Sequence, residues 1–179
     1  MVDKRQNSYR PPVWDDLRFS ASSAKQGQVD KPAFDFTNIG LTFPANDETH
    51  IIYINAQMPH SWKEDTAIKP HVHIAQTSAA VPKFVMVYRW YPIGELIPSF
   101  SDPIESNGGV KAYVSGTLHQ LLSFGEIQPP NISVVGVSTM LDIKIYRKTG
   151  DGAAATVLLK EFDIHFQKDA GGSNLEHIK

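Results

Sequence analysis

The sequence has no cysteine among its 179 residues, and this absence removes several kinds of chemistry at once. A chain without thiols has no disulfide framework, no thiolate nucleophile and no cysteine-based zinc or iron–sulfur site. No segment approaches the roughly 20 apolar residues that a transmembrane helix needs, and residues 1–10 lack the apolar stretch of a secretory signal. We therefore expect no membrane partner and assembly in a reducing cytoplasm.

Clusters of basic residues are also missing. The 17 lysines and arginines are balanced by 19 acidic residues, which gives a net charge of −2, and no basic run is longer than Lys4-Arg5. Binding to nucleic acid depends on a concentrated basic surface that releases counterions from the phosphates. We therefore expect no nucleic acid partner.

Helical periodicity is absent as well, and the apolar residues alternate with polar ones in short stretches. The 12 glycines and 12 prolines fall mostly between these stretches, as turns would. The predicted strands are 34–36, 41–43, 50–58, 71–77, 83–91, 132–146 and 157–166, with weaker candidates at 110–113 and 118–124. Such spacing predicts an all-β protein, a β-sandwich in which a jelly roll of two four-stranded sheets is the favoured arrangement.

The last two predicted strands, 132–146 and 157–166, are separated by the turn Thr149-Gly150-Asp151-Gly152. Both are long and rich in β-branched residues, which favours extended structure. We predict that they pair with each other as a hairpin.

The N-terminal residues differ in composition from the rest of the chain. Two adjacent prolines and a small, polar run at 20–28 make residues 1–30 too polar to form a core. We predict an extended N-terminal arm over residues 1–30 and a single β-sandwich domain over residues 31–179. Its large apolar side chains, Trp14, Leu17 and Phe19, are predicted to anchor the arm on a neighbouring subunit.

Two loops are further candidates for contact with a partner. Trp62 lies in a polar loop, where anchoring on a partner and folding back on its own sheet are equally good interpretations. The loop 92–109 is long for a sandwich connection, and its Ile97 and Phe100 are predicted to be exposed contact residues. Trp90, in the most apolar strand, is predicted to lie in the core.

Histidines suggest the one alternative with metal chemistry. His71 and His73 are two residues apart on a predicted strand, so their side chains share a face about 6.7 Å apart, within reach of one metal ion. His60 would supply a third ligand. Metal-dependent cupins use a His-x-His pair on a jelly roll, so the alternative function is a cupin-like metal-dependent enzyme or a carbohydrate-binding module that uses these three histidines.

The favoured interpretation of this pair is structural. Cupins carry a nearby glutamate and, on a later strand, another histidine, set in a glycine-bounded motif. This sequence shows no such glycine-bounded spacing, and Glu64 and Asp65 precede the pair instead of following it. We therefore predict that Val72 and Ile74 face the core, while the two histidines lie on the solvent-facing or subunit-facing side without a metal. His119 and His165 are predicted to point outward in the same way.

No motif for a nucleophile elbow, a phosphate-binding loop, a dinucleotide fold or an EF-hand occurs in the sequence. The paired carboxylates Asp15-Asp16 and Glu64-Asp65 are adjacent, so on an extended chain they point to opposite sides and share no acid–base geometry. We expect neither catalysis nor a cofactor.

Three blocks of sequence, in order along nearly the whole chain, carry a resemblance to a known family. They are WDDLR at 14–18, MPHSWKE at 58–64 leading to PHVH at 70–73, and EFDIHFQ at 161–167 followed by GGS at 171–173. They resemble blocks in a family of small virion structural proteins encoded by tailed bacteriophages and prophages.

The resemblance implies a virion protein, assembled in the host cytoplasm, that carries no catalytic residues. It implies a capsid decoration (cement) protein or another component of head or tail assembly, whose partner is the major capsid protein or a tail protein. Since such proteins sit on symmetry axes, a homotrimer is the expected oligomer.

Overall fold

The computed structural model of the chain describes residues 12–109, 111–130 and 138–168. Its elements are β1 (Val13–Ser20), a 3-10 helix (Ala21–Ser23), β2 (Lys25–Gln26), β3 (Phe34–Asp35), β4 (Gly40–Phe43), β5 (Ile51–Gln57), β6 (Lys69–Gln76), β7 (Phe84–Tyr91), β8 (Ile104–Glu105), β9 (Asn107–Gly108), β10 (Leu118–Ser123), β11 (Met140–Arg147) and β12 (Val157–Lys168). In these ranges the helical structure amounts to one three-residue turn, and no helix has the length and apolar character to cross a membrane.

The strands form two antiparallel sheets. Sheet A has the order β3-β4-β12-β6-β10-β9, with β1 also beside β12, and sheet B has the order β2-β5-β11-β7-β8. The chain changes sheet at most of its connections, so that β4-β12-β6-β10 faces β5-β11-β7-β8. This is the strand arrangement of a jelly roll, and the predicted all-β sandwich is confirmed.

The predicted hairpin between the last two strands is wrong. β11 pairs with β5 and β7 in sheet B, whereas β12 pairs with β6, β4 and β1 in sheet A. Each strand has one apolar face, and placing the two strands in facing sheets buries both faces in a shared core.

Arg147, at the end of β11, secures the crossover to β12. Its guanidinium is fully buried, pairs with Asp151 at 2.8 Å and donates hydrogen bonds to the carbonyls of Phe43, Ala153 and Ala155. The glycine-rich turn at 149–152, which was predicted to close a hairpin, therefore connects the two sheets and is stabilised by the buried ion pair of Arg147 and Asp151.

Other strand predictions differ in detail. The candidate at 110–113 contains no strand in its described residues, 111–113, where the Tyr113 hydroxyl donates to the carbonyls of Thr77 and Gly116. Residues 132–137 of the predicted strand 132–146 lie outside the described residues.

Two tryptophans stack inside the sandwich. The rings of Trp62 and Trp90 are 5.8 Å apart, and Trp62 is fully buried while Trp90 is 6% exposed. The core position predicted for Trp90 is confirmed. The anchor role for Trp62 is wrong, because a turn closed by the Trp62 N–H and the Pro59 carbonyl, 2.9 Å apart, folds this loop back onto its own domain.

The N-terminal segment is extended from Val13, but it lies within its own domain. β1 pairs with β12 from Val13 opposite Lys168 to Ser20 opposite Glu161. Leu17 and Phe19 pack against the core, with the Phe19 ring 6.1 Å from that of Phe162. Leu17 and Phe19, which were predicted to anchor the segment on a neighbouring subunit, instead form the inward face of this strand.

Candidate functional site

The outer face of sheet A, opposite the core, carries a cluster of histidines. β6 places His71 and His73 on this face, because Val72 and Ile74 point inward and are fully buried. The predicted register of β6 is confirmed. His71 lies on the predicted outer side of the sheet, but it is only 3% exposed, so the expectation that it faces solvent is wrong.

His71 is buried by its neighbours on the sheet. The ring of His165, on β12, lies 4.4 Å from it at a steep angle, and the ring of His73 lies 5.0 Å away. His165 therefore packs on His71, in addition to pointing outward as predicted.

β12 adds a carboxylate to the cluster. Phe162 and Ile164 are fully buried in the core, so Asp163 between them projects to the outer face, where it is 5% exposed. The register of the two strands sets Asp163 directly opposite His71. Side chains directly opposite each other on antiparallel strands are close neighbours, so this pairing brings the carboxylate to the imidazoles.

Three donor atoms meet at the centre of the cluster. The Nε2 atoms of His71 and His73 are 3.1 Å apart, and Oδ2 of Asp163 lies 3.5 Å from the first and 3.2 Å from the second. The other carboxylate oxygen, Oδ1, is buried and has no hydrogen-bond partner. Buried polar atoms are seldom left unpaired, so this oxygen lacks the partner that a buried acceptor usually has.

The Nδ1 nitrogens of His71 and His73, which face away from the three converging donor atoms, have partners of their own. Nδ1 of His71 lies 3.4 Å from the carbonyl oxygen of Lys69, and Nδ1 of His73 lies 2.8 Å from Nε2 of His119. A proton on each Nδ1 satisfies these contacts and leaves a lone pair on each Nε2.

Burial is the largest influence on the ionisation of the cluster. It lowers the pKa of His73 despite the nearby charge of Asp163, which favours the neutral imidazole. Burial alone would raise the pKa of Asp163, but the hydrogen bond from His71 and the charge of His73 outweigh it, so that the pKa lies below its ordinary value. The carboxylate of Asp163 is therefore charged near neutral pH.

The cluster forms the floor of an open groove of about 550 Å³. On one side, β1 contributes Asp16, whose carboxylate is 3.0 Å from Nε2 of His165, and Arg18, which binds Glu161 through two hydrogen bonds of 2.9 Å. Exposed His119, on β10, lies on the other side. Donor groups, acceptor groups and space for a small molecule thus occur together above the carboxylate.

His60 does not join the cluster. Its Nε2 lies 3.2 Å from the Ser138 hydroxyl, and hydrogen bonds between residues 58 and 138–139 hold this turn beside the start of β11. The predicted trio of His60, His71 and His73 is therefore not assembled, and Asp163 takes the third position. The sequence signal for Asp163 was its alternation with Phe162 and Ile164, but only the pairing of β12 with β6 brings it to the histidines.

The remaining predicted contact residues lie away from the cluster or at its edge. Trp14 is 38% exposed with the Lys69 ammonium 4.7 Å from its ring, and Phe100, also 38% exposed, carries the Arg89 guanidinium at 4.6 Å. Ile97 is 57% exposed. These three side chains are accessible to a partner, while Leu17 and Phe19 are partly buried against the core.

No family model matches the chain, and no curated protein matches it in sequence. Among solved structures, a chain described as "Structure of Eiger TNF from S. frugiperda" is similar, with 9% sequence identity over 93% of this chain and 99% of that chain and a TM-score of 0.32. The assignment of the jelly roll rests on the strand order itself.

Proposed function

We propose that the protein is a structural component of a tailed-bacteriophage virion, a capsid decoration protein or another head or tail assembly component, and that it catalyses no reaction. In this proposal it binds a major capsid or tail protein and forms a homotrimer. The resemblance of its three sequence blocks to phage virion proteins supports the proposed place in a virion. One feature of the surface supports binding to another protein.

That feature is the connection from β7 to β8, which exposes apolar side chains on a fixed base. Ile93 is 61% exposed, Leu96 92%, Ile97 57% and Phe100 38%. The base of the loop is held where the Ser101 N–H donates to the Tyr88 carbonyl at 2.7 Å. Grouped exposed apolar side chains on a soluble domain mark a surface for a partner, and a fixed base lowers the entropic cost of binding.

The cupin-like alternative has weaker support. His60 lies apart from the other two histidines, and the space between the sheets is filled by buried side chains such as Trp62, Phe43 and Phe84. A carbohydrate-binding module built on the same three histidines is likewise not assembled, because His60 lies apart from the other two.

The direct test is to look for the protein in purified particles of the phage or prophage that encodes it. Quantitative mass spectrometry should find it at a fixed, stoichiometric copy number per particle, and its absence from particles would contradict the proposal. Light scattering of the purified protein should give the mass of a trimer; a monomer at micromolar concentration would count against that part.

The loop is tested with a double variant, Leu96→Asp with Ile97→Asp. It should fold normally, because exposed positions seldom change stability by more than about 0.5 kcal/mol, but it should no longer occupy particles that lack the wild-type protein. The matched control is Val114→Asp, which changes an apolar residue that is 88% exposed outside this loop. If the double variant and the control bind particles equally well, the loop is not the interface.

A further inference from the structure

We propose that His71, His73 and Asp163 bind one divalent transition-metal ion, with zinc the best match, on the outer face of sheet A. This inference concerns a different surface from the β7–β8 loop and does not depend on a role in a virion.

The three donor atoms already have the spacing of a metal site. A tetrahedral zinc ion with bonds of about 2.0–2.2 Å to nitrogen and oxygen requires ligand atoms roughly 3.3–3.5 Å apart. The observed distances between the three atoms are 3.1, 3.2 and 3.5 Å. Shifts of a few tenths of an ångström would therefore place an ion at bonding distance from all three.

One of the tautomers that these contacts allow leaves this point without a donor. With the protons of both imidazoles on Nδ1, the two Nε2 lone pairs and the carboxylate of Asp163 face one another, and Oδ1 of the carboxylate is buried without a partner. Acceptors that converge in a buried place repel one another, and a bare buried charge is costly. A divalent cation at this point converts the repulsion into coordination and compensates the charge of Asp163.

The neighbouring residues have the form of an outer shell around a metal. Metal-binding histidines generally donate their second N–H to a carbonyl, carboxylate or water, which fixes the orientation of the ring. His71 makes this contact with the carbonyl of Lys69, and His73 makes it with His119. His119 is thus a positioning residue, and the fourth coordination position opens into the groove, where a water molecule or a bound ligand can occupy it.

The usual order of metal affinities favours zinc over ferrous iron at this site. Two histidines and one carboxylate also bind ferrous iron, but three neighbouring positions of an octahedron place ligand atoms only about 3.0 Å apart. The observed distances of 3.1, 3.2 and 3.5 Å lie between the two arrangements, but zinc binds nitrogen and oxygen donors more tightly than ferrous iron does.

The experiment uses the full chain, stripped of metal with a chelator and dialysed. Calorimetric titration with zinc chloride should show one ion bound per chain, and zinc should raise the melting temperature, because an ion that binds only the folded state stabilises it. Titration with cobalt(II) should give the intense visible absorption of a tetrahedral site. Ferrous iron, added without oxygen, should bind more weakly than zinc.

Variants identify the ligands. His73→Gln and Asp163→Asn should each weaken zinc binding by more than about 100-fold, and His119→Gln by about 10–100-fold, the usual effect of losing an outer-shell partner. The control, His60→Gln, should bind zinc as the wild type does. Circular dichroism shows whether each variant folds.

Two outcomes would overturn the proposal. One is the absence of stoichiometric zinc and cobalt binding by the wild-type protein, a result that depends on no variant and would mean that protons alone satisfy the cluster. The other is zinc binding that folded His73→Gln and Asp163→Asn retain. Neither outcome affects the particle-binding test of the loop, so failure of one proposal is distinguishable from failure of the other.

Discussion

Asp142 and Asp163 occupy equivalent places in the two sheets, and their partners differ. Each lies on an inner strand, faces away from the core and is less than a tenth exposed. Asp142 binds Arg89 at 2.8 Å and accepts hydrogen bonds from Asn55 and Tyr91, so both of its oxygens are satisfied. Asp163 meets two imidazoles and keeps one oxygen unpaired.

The two carboxylates therefore differ in how completely the chain itself pairs them. Arg89 carries a permanent charge, so the Asp142 network is complete in the folded chain alone. The imidazoles beside Asp163 carry no fixed charge, and burial lowers the pKa of His73 further. In our proposal, a bound metal ion completes the network in sheet A.

The largest expected effect comes from removing the cation in sheet B. Arg89→Met should destabilise the protein by roughly 2–4 kcal/mol in urea unfolding, because it leaves the buried charge of Asp142 uncompensated. The range lies below that of a fully buried pair because the Arg89 side chain is 28% exposed.

Arg18→Met is the matched change in sheet A. Arg18 pairs with Glu161 at the surface, and its side chain is 65% exposed, so solvent screens the pair and its loss should cost much less stability than the loss of Arg89. If the two variants lose equal stability, Asp142 does not depend on its cation and the comparison fails.

A smaller effect is expected from neutralising each carboxylate in turn. Asp142→Asn should cost about 1–3 kcal/mol, since it weakens several charged hydrogen bonds at once. In metal-free protein, Asp163→Asn should stay within about 1 kcal/mol of the wild type, because the new amide can donate to an imidazole nitrogen. Chemical denaturation in the presence of a chelator measures both, and a larger loss for Asp163→Asn would show that its network is structural.

A third carboxylate, Asp151, is fully paired like Asp142, and the pH dependence of the protein's stability tests its contribution. Burial alone would raise the pKa of Asp151, but hydrogen bonds from Arg147 and from the Ala153 and Lys83 amides lower it overall. The folded pKa thus lies below the unfolded one, so this contribution to stability is present above the unfolded pKa, near 3.9, and is lost as the pH falls through the folded pKa.

The expected result is a smaller loss of stability on acidification in Asp151→Asn than in the wild type. The free energy of unfolding should be compared between pH 7 and pH 3. The control is Asp30→Asn at an exposed position, which should lose as much stability on acidification as the wild type does. Equal acid sensitivity of Asp151→Asn and the wild type would mean that Asp151 has the same pKa in both states.

Local pattern predicted most of the longer strands and the inward residues of β6, but it missed β1, β2, β8 and β9, and it did not show which strands meet. Alternation correctly assigned Val72 and Ile74 to the core, because the side-chain period of a strand is fixed by its backbone. The predicted hairpin placed β12 beside β11, which hid the pairing of Asp163 with His71. That pairing depends on how two apolar faces are buried across the sandwich, and no short-range signal reports it.

Burial within the cluster was equally hidden from the sequence. His71 looks like an outward residue, and its burial comes from the ring of His165 on a strand more than 90 positions away. Trp62 in its polar loop was ambiguous for the same reason, since its stacking on Trp90 is a tertiary contact.

The pairing of β1 with β12 makes the N-terminal segment a donor strand that the chain inserts into its own sheet. Tethering of this kind corresponds to an effective concentration in the millimolar range, so a strand from another copy competes for the same edge only at comparable local concentrations. Strand exchange between subunits would first have to break the eight residue pairs from Val13 to Ser20. In dilute solution the edge therefore stays closed, and exchange requires a local strand concentration in the same millimolar range.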